Sequence, residues 1–148
     1  SFSGKKKFYE NCLNLTSSFE KLNYDSDYLK FKTKILGIDK NDIIKEEYNV
    51  NVITLSSYIN DNISSDIDVI KIDVEGHEYE CLRGLFNTSL DSNIHLIQLE
   101  HHNDDMYKNS ISFNQINDIL NKNNFELIER FKHAFGEFED LLYKNKII

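Results

Sequence analysis

The sequence predicts an α/β fold in which two strand–helix units precede an antiparallel pair of strands. The runs 67–74 and 94–99 are dense in β-branched and aliphatic residues, as is typical of strands buried in a parallel sheet. Each run is followed by apolar residues at helical spacing. The runs 125–131 and 137–143 then bracket a glycine-containing turn at 132–136, which indicates a closing hairpin.

The first forty residues give the weakest pattern. Residues 5–11 could form a short strand, whereas residues 26–36 fit two templates. Alternation of apolar residues with lysines favours a strand there, but the spacing of Tyr28, Phe31 and Ile35 fits one helical face. We favour the helix, with Ser26 as its N-cap.

Residues 50–62 contain the signals for the next two elements. Residues 50–55 are typical of a strand, and Ser56 can cap a short helix over 56–62. The nearly continuous β-branched run 67–74 predicts a strand buried on both faces. The helical spacing over 75–86 predicts the helix that follows it.

The second strand–helix unit has the sharpest local signal in the chain. Residues 94–99 predict another buried strand, and residues 112–122 predict an amphipathic helix. Ser112 and Gln115 form the capping box that begins this helix. Its inward face consists of Phe113, Ile116, Ile119 and Leu120.

Composition excludes several classes of protein. With 40% hydrophobic and 12% aromatic residues, the 148 residues can form a core, and we expect a single domain over 1–148. No apolar run approaches the roughly 18 residues of a membrane span, and no signal-peptide pattern is present. The net charge of −8 argues against a nucleic-acid surface. Cys12 and Cys81, without a CxxC motif, suggest a reducing, cytoplasmic compartment.

Two predicted strand ends are polar, at residues 73–78 and 100–105. Because ligands of open parallel sheets bind beyond the carboxyl ends of the strands, these segments are the candidate site. Glu75 and Glu78 have an equally simple explanation, since acidic residues complement the dipole of a helix in its first turn.

Asp73 is harder to explain by structure alone. It closes an apolar strand, where an unpaired carboxylate is costly. Lys71 lies on the same strand face, two residues earlier, and either neutralises a carboxylate or extends its ammonium group into solvent.

A metal centre is one alternative for these strand ends. Asp73, Glu75, Glu100 and His102 could converge as oxygen and nitrogen ligands. No fixed-spacing metal motif supports such a centre. The neighbouring His101 and His102 would point to opposite faces of an extended strand, so they would not bind one ion together.

Four segments form a recognisable series along the chain: TLSSY at 54–58, IKIDVEGHE at 70–78, a strand that ends in Glu100, and EFEDLLYK at 137–144. Together they resemble the C-terminal half of FkbM-type S-adenosylmethionine-dependent methyltransferases. The resemblance covers residues 1–144 and is strongest between 50 and 102.

The resemblance implies methyl transfer from S-adenosylmethionine to a hydroxyl group of a sugar or natural product. The implied partner is therefore a small-molecule or glycan acceptor, with no nucleic acid and no membrane. When the family's motif is transferred position by position, Asp73 and Glu75 become the leading catalytic candidates, and Glu100 ranks second. Asp73 is also a candidate for contact with the cofactor. His77 falls where the family varies and ranks lower. A positioned carboxylate or histidine that removes the hydroxyl proton would contribute roughly 10²–10⁴-fold in rate.

The implied fold is part of a Rossmann-like class I methyltransferase sheet, comprising its later strands and terminal antiparallel hairpin. The family's glycine-rich turn for the cofactor has no counterpart here, because the five glycines are never closer than eight residues. We therefore expect an N-terminally truncated domain that lacks the cofactor half, binds S-adenosylmethionine weakly and is inactive alone. The strand 67–74 would then be an exposed, aggregation-prone edge.

Two other function classes compete with this interpretation. The first is a non-catalytic α/β binding or interaction module derived from the same fold. The second is a metal-dependent hydrolase that uses the carboxylate and histidine residues at the strand ends. Tyr107, in the polar loop 101–110, could border an acceptor site or simply be solvated.

Overall fold

The computed structural model describes residues 3–12, 16–39, 41–133 and 138–148. Its strands and helices alternate for most of the chain. In order, they are β1 (Gly4–Asn11), α1 (Asp27–Leu36), β2 (Ile44–Val52), α2 (Leu55–Asn62), β3 (Ile67–Ile72), α3 (Glu78–Leu85), β4 (Ile94–His102), α4 (Phe113–Lys122), β5 (Phe125–Lys132) and β6 (Phe138–Asn145).

The main sheet has four strands in the order β3-β4-β6-β5. Strands β3 and β4 are parallel, whereas β6 is antiparallel to both of its neighbours. The predicted α/β class, with two strand–helix units and a closing antiparallel pair, is therefore confirmed. The turn predicted at 132–136 lies mostly outside the described residues.

Helices α2, α3 and α4 pack on one face of this sheet. They contribute Ile59, Leu82, Leu85, Ile116 and Leu120 to the main core, opposite strand residues that include Ile97, Leu99, Leu141 and Tyr143. Helix α4 begins with the predicted capping box, because Ser112 accepts from the N–H of Gln115 and the Gln115 side chain accepts from the N–H of Ser112. Burial of this helical face is the main stabilising contribution of α4.

Strand β3 differs from its prediction. We expected burial on both faces, but Val69 is 50% exposed and only Ile72 is classed as buried in the strand. Within the described residues, β3 pairs with β4 alone, so one of its edges is open. The helices thus bury only part of the apolar surface of β3.

A smaller sheet of β1 and β2 lies beside the main one, with the two strands antiparallel. A second core cluster joins this part of the chain to the loop after β4. It consists of Leu22, Leu29, Ile43, Met106 and Tyr107. Backbone bridges from Ser18 to Tyr9 and from Leu22 to Tyr107 hold the intervening segment in place.

Helix α1 confirms the favoured interpretation of residues 26–36. Ser26 caps it by accepting a hydrogen bond of 3.0 Å from the N–H of Leu29. The helix ends at Gly37, which adopts a left-handed φ of 67°.

Several predicted boundaries were wrong. Strand β2 covers Ile44–Val52 rather than 50–55, because the polar residues before Val50 pair with β1. The cap of α2 is Thr54, whose hydroxyl accepts from the N–H of Ser57 at 3.2 Å, and not Ser56. Helix α3 begins three residues later than predicted because residues 73–77 form a turn. Among the described residues, none of the helices has the length and apolar character needed to cross a membrane.

Candidate active site

The turn between β3 and α3 has an unusual backbone. Glu75 and Gly76 both lie in the left-handed region, with φ values of 55° and 88°. A non-glycine residue there is strained, so the conformation persists only when its surroundings fix it. Ser18 donates to the carbonyl oxygen of Glu75 at 2.6 Å, and the Glu78 carboxylate accepts from the N–H of Gly76 at 3.1 Å. The turn is therefore held from two sides.

Tyr107 provides the third contact that fixes the turn. Its ring lies so close to Gly76 that a Cβ atom there would be 2.6 Å from Cδ2 of the ring. Its hydroxyl donates to Oε2 of Glu75 at 2.6 Å. Burial raises the pKa of the Glu75 carboxyl, although the hydrogen bond from Tyr107 opposes this shift.

Three predicted site residues meet at the carboxyl ends of β3 and β4. Carboxylate oxygens of Asp73, Glu75 and Glu100 all lie within 4.8 Å of one another. Asp73 is partly exposed and pairs with Nζ of Lys71 at 2.9 Å, so Lys71 neutralises a carboxylate. We call Asp73, Glu75 and Glu100 the carboxylate cluster. The rule that parallel strand ends meet at one edge of a sheet accounts for their convergence.

His102 faces the carboxylate cluster from the last position of β4. Its Nε2 lies 3.1 Å from Oε1 of Glu100 and 3.9 Å from Oε2 of Glu75, while its Nδ1 lies 3.1 Å from Oδ2 of Asp104. Although burial opposes the charge, the contacts with Asp104 and Glu100 raise the pKa of His102 to about 10. His102 is therefore a largely but not fully buried imidazolium at neutral pH.

The charge on His102 bears on the metal interpretation. An imidazolium has no free lone pair, so a metal ion at the carboxylate cluster would have to displace the proton of His102 before this residue could serve as a fourth ligand. Its neighbour His101 points to the opposite face, as predicted, where Nε2 donates to the carbonyl oxygen of Ile111 at 3.2 Å. Burial lowers the pKa of His101.

Glu139 on β6 is another buried carboxylate that the sequence analysis did not identify. It is fully buried and accepts two hydrogen bonds from the guanidinium group of Arg130 on β5. This hydrogen bonding holds the pKa of Glu139 below its usual value. The pair ties β5 to β6, and its role is structural.

His77 lies outside the carboxylate cluster. It is 9% exposed, its Nδ1 lies 2.6 Å from Oε1 of Glu20, and its Nε2 lies 2.9 Å from Nζ of Lys6. A cavity of about 310 Å³ opens beside it, between the small sheet and helices α2 and α3. The lining residues are Lys6, Phe19, Val52, Ile53, Thr54, Leu55, Tyr58, His77, Glu80, Cys81 and Gly84.

Sequence reasoning missed Glu20 and Lys6 altogether. They lie 57 and 71 residues from His77, and neither belongs to a motif. Tyr107 was expected either to border an acceptor site or to be solvated, whereas it is buried and its ring and hydroxyl fix the turn. No local signal could have identified these contacts, because each depends on how the N-terminal segment packs against the main sheet.

Comparison with known proteins gave one match. A family model described as the Methyltransferase FkbM domain matches residues 4–127, which is most of the chain. Neither the curated proteins nor the solved structures gave a match. The matched range contains the turn, the carboxylate cluster, His102 and His77.

Proposed function

The chain belongs to the FkbM methyltransferase domain family, and on that basis we propose that it transfers a methyl group from S-adenosylmethionine to a hydroxyl group of a small-molecule or glycan acceptor. The observation that supports this proposal is the family match over residues 4–127. The matched range includes a fixed turn with three converging carboxylates at the strand ends. We also propose that the fold is the later part of a Rossmann-like methyltransferase sheet.

The carboxylate cluster suits the charge of the proposed donor. When bound, S-adenosylmethionine supplies a methyl group on a positively charged sulfur, so that the protein mainly has to align the acceptor. Asp73, Glu75 and Glu100 would hold this cation. Glu78 and Asp104 add further negative charge nearby, and Lys71, His102 and the more distant Lys32 offset part of it.

The fixed turn gives the cluster a defined geometry before any ligand binds. Ser18, Glu78 and Tyr107 hold the strained backbone and the side chain of Glu75. Groups that are fixed in advance need no reorganisation when charge changes during the reaction. We therefore assign the cluster to binding and orienting the positively charged donor.

The cluster is less suited to removing the acceptor proton. Asp73 pairs with Lys71, Glu75 accepts from Tyr107, and Glu100 faces the His102 imidazolium. Each carboxylate thus already has a polar partner, which an acceptor hydroxyl group would have to displace before it could give up its proton there.

Donor charge recognition can be tested with two ligands that differ in charge. S-adenosylhomocysteine has a neutral sulfur, so we expect S-adenosylmethionine to bind at least tenfold more tightly, as measured by chemical-shift titration. Because the sequence has no glycine-rich turn, we propose weak affinities, on the order of millimolar for the donor, equivalent to about −4 kcal/mol. Instead of the complete inactivity expected from sequence, we therefore propose slow transfer by the chain alone, to be measured at millimolar donor.

Variants identify the groups responsible for that preference. The double variant Asp73→Asn with Glu100→Gln should bring the two affinities within about twofold, because it removes two of the charges that attract the sulfonium. The control Asp91→Asn removes an exposed carboxylate outside the site and should leave the ratio unchanged. Equal binding of both ligands by the unmodified chain would contradict the proposed donor site.

We also propose a location and a class of partner. We propose a cytoplasmic location because Cys12 and Cys81 are both free. A net charge of −8 supports a small, uncharged or positively charged ligand rather than a nucleic acid.

A further inference from the structure

Resting on the proposed function, we propose that the cavity beside His77 is the acceptor site. It takes an uncharged, largely apolar alcohol or phenol of about one ring. His77, positioned by Glu20, receives the hydroxyl proton of this acceptor. The cavity is separate from the carboxylate cluster in its lining, and the two share no residue. Both adjoin the short segment from Asp73 to His77.

The size and lining of the cavity select the ligand class. A volume of about 310 Å³ is at the lower end of ligand pockets, which typically span roughly 300–1,000 Å³. The walls are mainly apolar, with Phe19, Val52, Ile53, Leu55 and Tyr58 among the lining residues. Most hydroxyl groups of a sugar would find no partner there, which is costly on burial. An apolar ring with one hydroxyl group satisfies both size and polarity.

The Glu20–His77 pair has the arrangement of a base. Nδ1 of His77 donates to Oε1 of Glu20 at 2.6 Å, and the two side chains are only 10% and 12% exposed. A carboxylate at Nδ1 fixes the tautomer that leaves a lone pair on Nε2, and it stabilises the imidazolium that forms when Nε2 takes a proton.

Glu20 is itself held as a carboxylate. Asn109 donates to its second oxygen at 3.2 Å. Although burial opposes ionisation, the hydrogen bonds with His77 and Asn109 lower the pKa of Glu20. Glu20 thus stays charged and acts on the acceptor only through His77, as a positioning residue.

Lys6 marks the position of the acceptor oxygen. Its ammonium group donates to Nε2 of His77 at 2.9 Å and lies 5.3 Å from the centre of the Phe19 ring. Its long side chain is only partly buried, so a hydroxyl group can take its place at Nε2 while the ammonium stays nearby. A positive charge beside that oxygen favours loss of its proton.

The proton and electron balance of the step is simple. The hydroxyl oxygen forms a bond to the methyl carbon as the carbon–sulfur bond breaks with its electrons going to sulfur. The hydroxyl proton passes to Nε2 of His77, so the positive charge moves from sulfur to imidazolium. Glu80 and Cys81 also border the cavity, and burial raises the pKa of the Cys81 thiol to about 11, which keeps it protonated.

Binding can be measured without methyl transfer. Titration of the full chain with 4-methylphenol should shift the imidazole resonances of His77, whereas methyl glucoside and adenosine should not. Cys81→Leu narrows the cavity and should weaken 4-methylphenol binding at least tenfold. The matched control Cys12→Leu makes the same change at the exposed cysteine and should have no effect. Absence of a His77 response, or tighter binding of adenosine at His77, would overturn the acceptor assignment.

The role of Glu20 in catalysis can be measured separately from binding, through kcat, KM and the pH profile. With S-adenosylmethionine and 4-methylphenol, Glu20→Gln should lower kcat at least tenfold with little change in KM, and should move the acidic limb of the pH profile to lower pH. Glu20→Asp should restore part of the rate, and the exposed Glu46→Gln should match the unmodified chain. An unchanged pH profile in Glu20→Gln would refute the positioning role.

Two further outcomes separate this inference from the proposed function. Methyl transfer that does not depend on His77, measured in His77→Gln, would refute the inference and leave the methyltransferase proposal standing. Binding of 4-methylphenol at His77 without transfer to any acceptor would refute the methyltransferase proposal instead, and with it the role of His77 as a base. In both cases His133→Gln, at an exposed histidine, serves as the matched control.

Discussion

At Gly76 the backbone adopts a φ of 88°, and the ring of Tyr107 occupies the space where a side chain would begin. Two separate penalties therefore apply to any substitution at this residue. One is the strain of a left-handed conformation, and the other is the collision with the ring. Among the described residues, Gly37 serves as a matched comparison, with a φ of 67° and open space around it.

The first prediction separates the two penalties at Gly76. Gly76→Ala should lower the free energy of unfolding by about 2–4 kcal/mol, because strain and overpacking add. Gly37→Ala should cost only about 1 kcal/mol, since it carries the conformational strain alone. Urea unfolding curves of both variants measure the difference. Equal losses in the two variants would show that the Tyr107 ring moves aside without cost.

His102 gives a pH dependence whose sign is defined. Its pKa is raised from the ordinary value near 6.5 to about 10 in the folded chain. The stabilisation is therefore fully present below about pH 6.5 and is lost as the pH rises through about 10. Each pKa unit corresponds to about 1.4 kcal/mol, so the loss is a few kcal/mol.

The second prediction compares His102→Gln with the unmodified chain. The difference in unfolding free energy between them should shrink by a few kcal/mol from pH 6 to above pH 10, because the unmodified chain loses the charge on His102. His133→Gln is the control, since His133 is 43% exposed and pairs with Asp140 at the surface. A difference that stays constant over this range would mean that His102 is not charged in the folded state.

Strand β3 presents an open edge among the described residues, and the exposed Val69 lies in that strand. Open apolar edges promote pairing between chains, and a lysine on such a strand opposes it. Strand β5 is the other edge of the sheet but has four charged side chains along its length. Self-association should therefore proceed through β3 rather than β5.

A pair of lysine substitutions tests the open edge. Val69→Lys should reduce self-association, measured by sedimentation velocity, while leaving the unfolding free energy within about 0.5 kcal/mol, as for an exposed site. Ile128→Lys makes the same change at a similarly exposed residue of β5 and should leave self-association as it was. The reverse pattern would place the associating edge at β5.

The elements best predicted from sequence are those with local signals. Helix α4 has its capping box within four residues, and α1 has its cap at Ser26. The start of β2 could not be predicted because its polar residues gain their strand conformation only by pairing with β1. The start of α3 was predicted three residues too early because Tyr107 and Ser18, both distant in sequence, fix the turn that precedes the helix.

The same distinction applies to the candidate site. Convergence of Asp73, Glu75 and Glu100 was predictable, because sheet topology brings the strand ends together. The Glu20–His77 pair was not, since no periodicity or motif encodes a contact across 57 residues.

At the scale of the whole molecule, the site lies where two parts of the chain meet. The main sheet and its helices come from residues 55–145, whereas β1, β2 and α1 come from residues 4–52. The segment around Ser18 and Leu22 connects the two parts through Glu75 and Tyr107. The carboxylate cluster lies within residues 55–145, whereas the polar residues that line the cavity come from both parts of the chain.

This division has a consequence for folding and local opening. Residues 55–145 contain their own core, so we expect them to form a cooperative unit whose hydrogen exchange reports global unfolding. The contacts of Ser18 and Glu20 span more than fifty residues and join that unit only when the N-terminal segment docks. Partial undocking of this segment would release the strained turn at Glu75 and separate Glu20 from His77, while the main sheet stays folded. The chain can thus lose the proposed site without losing its fold.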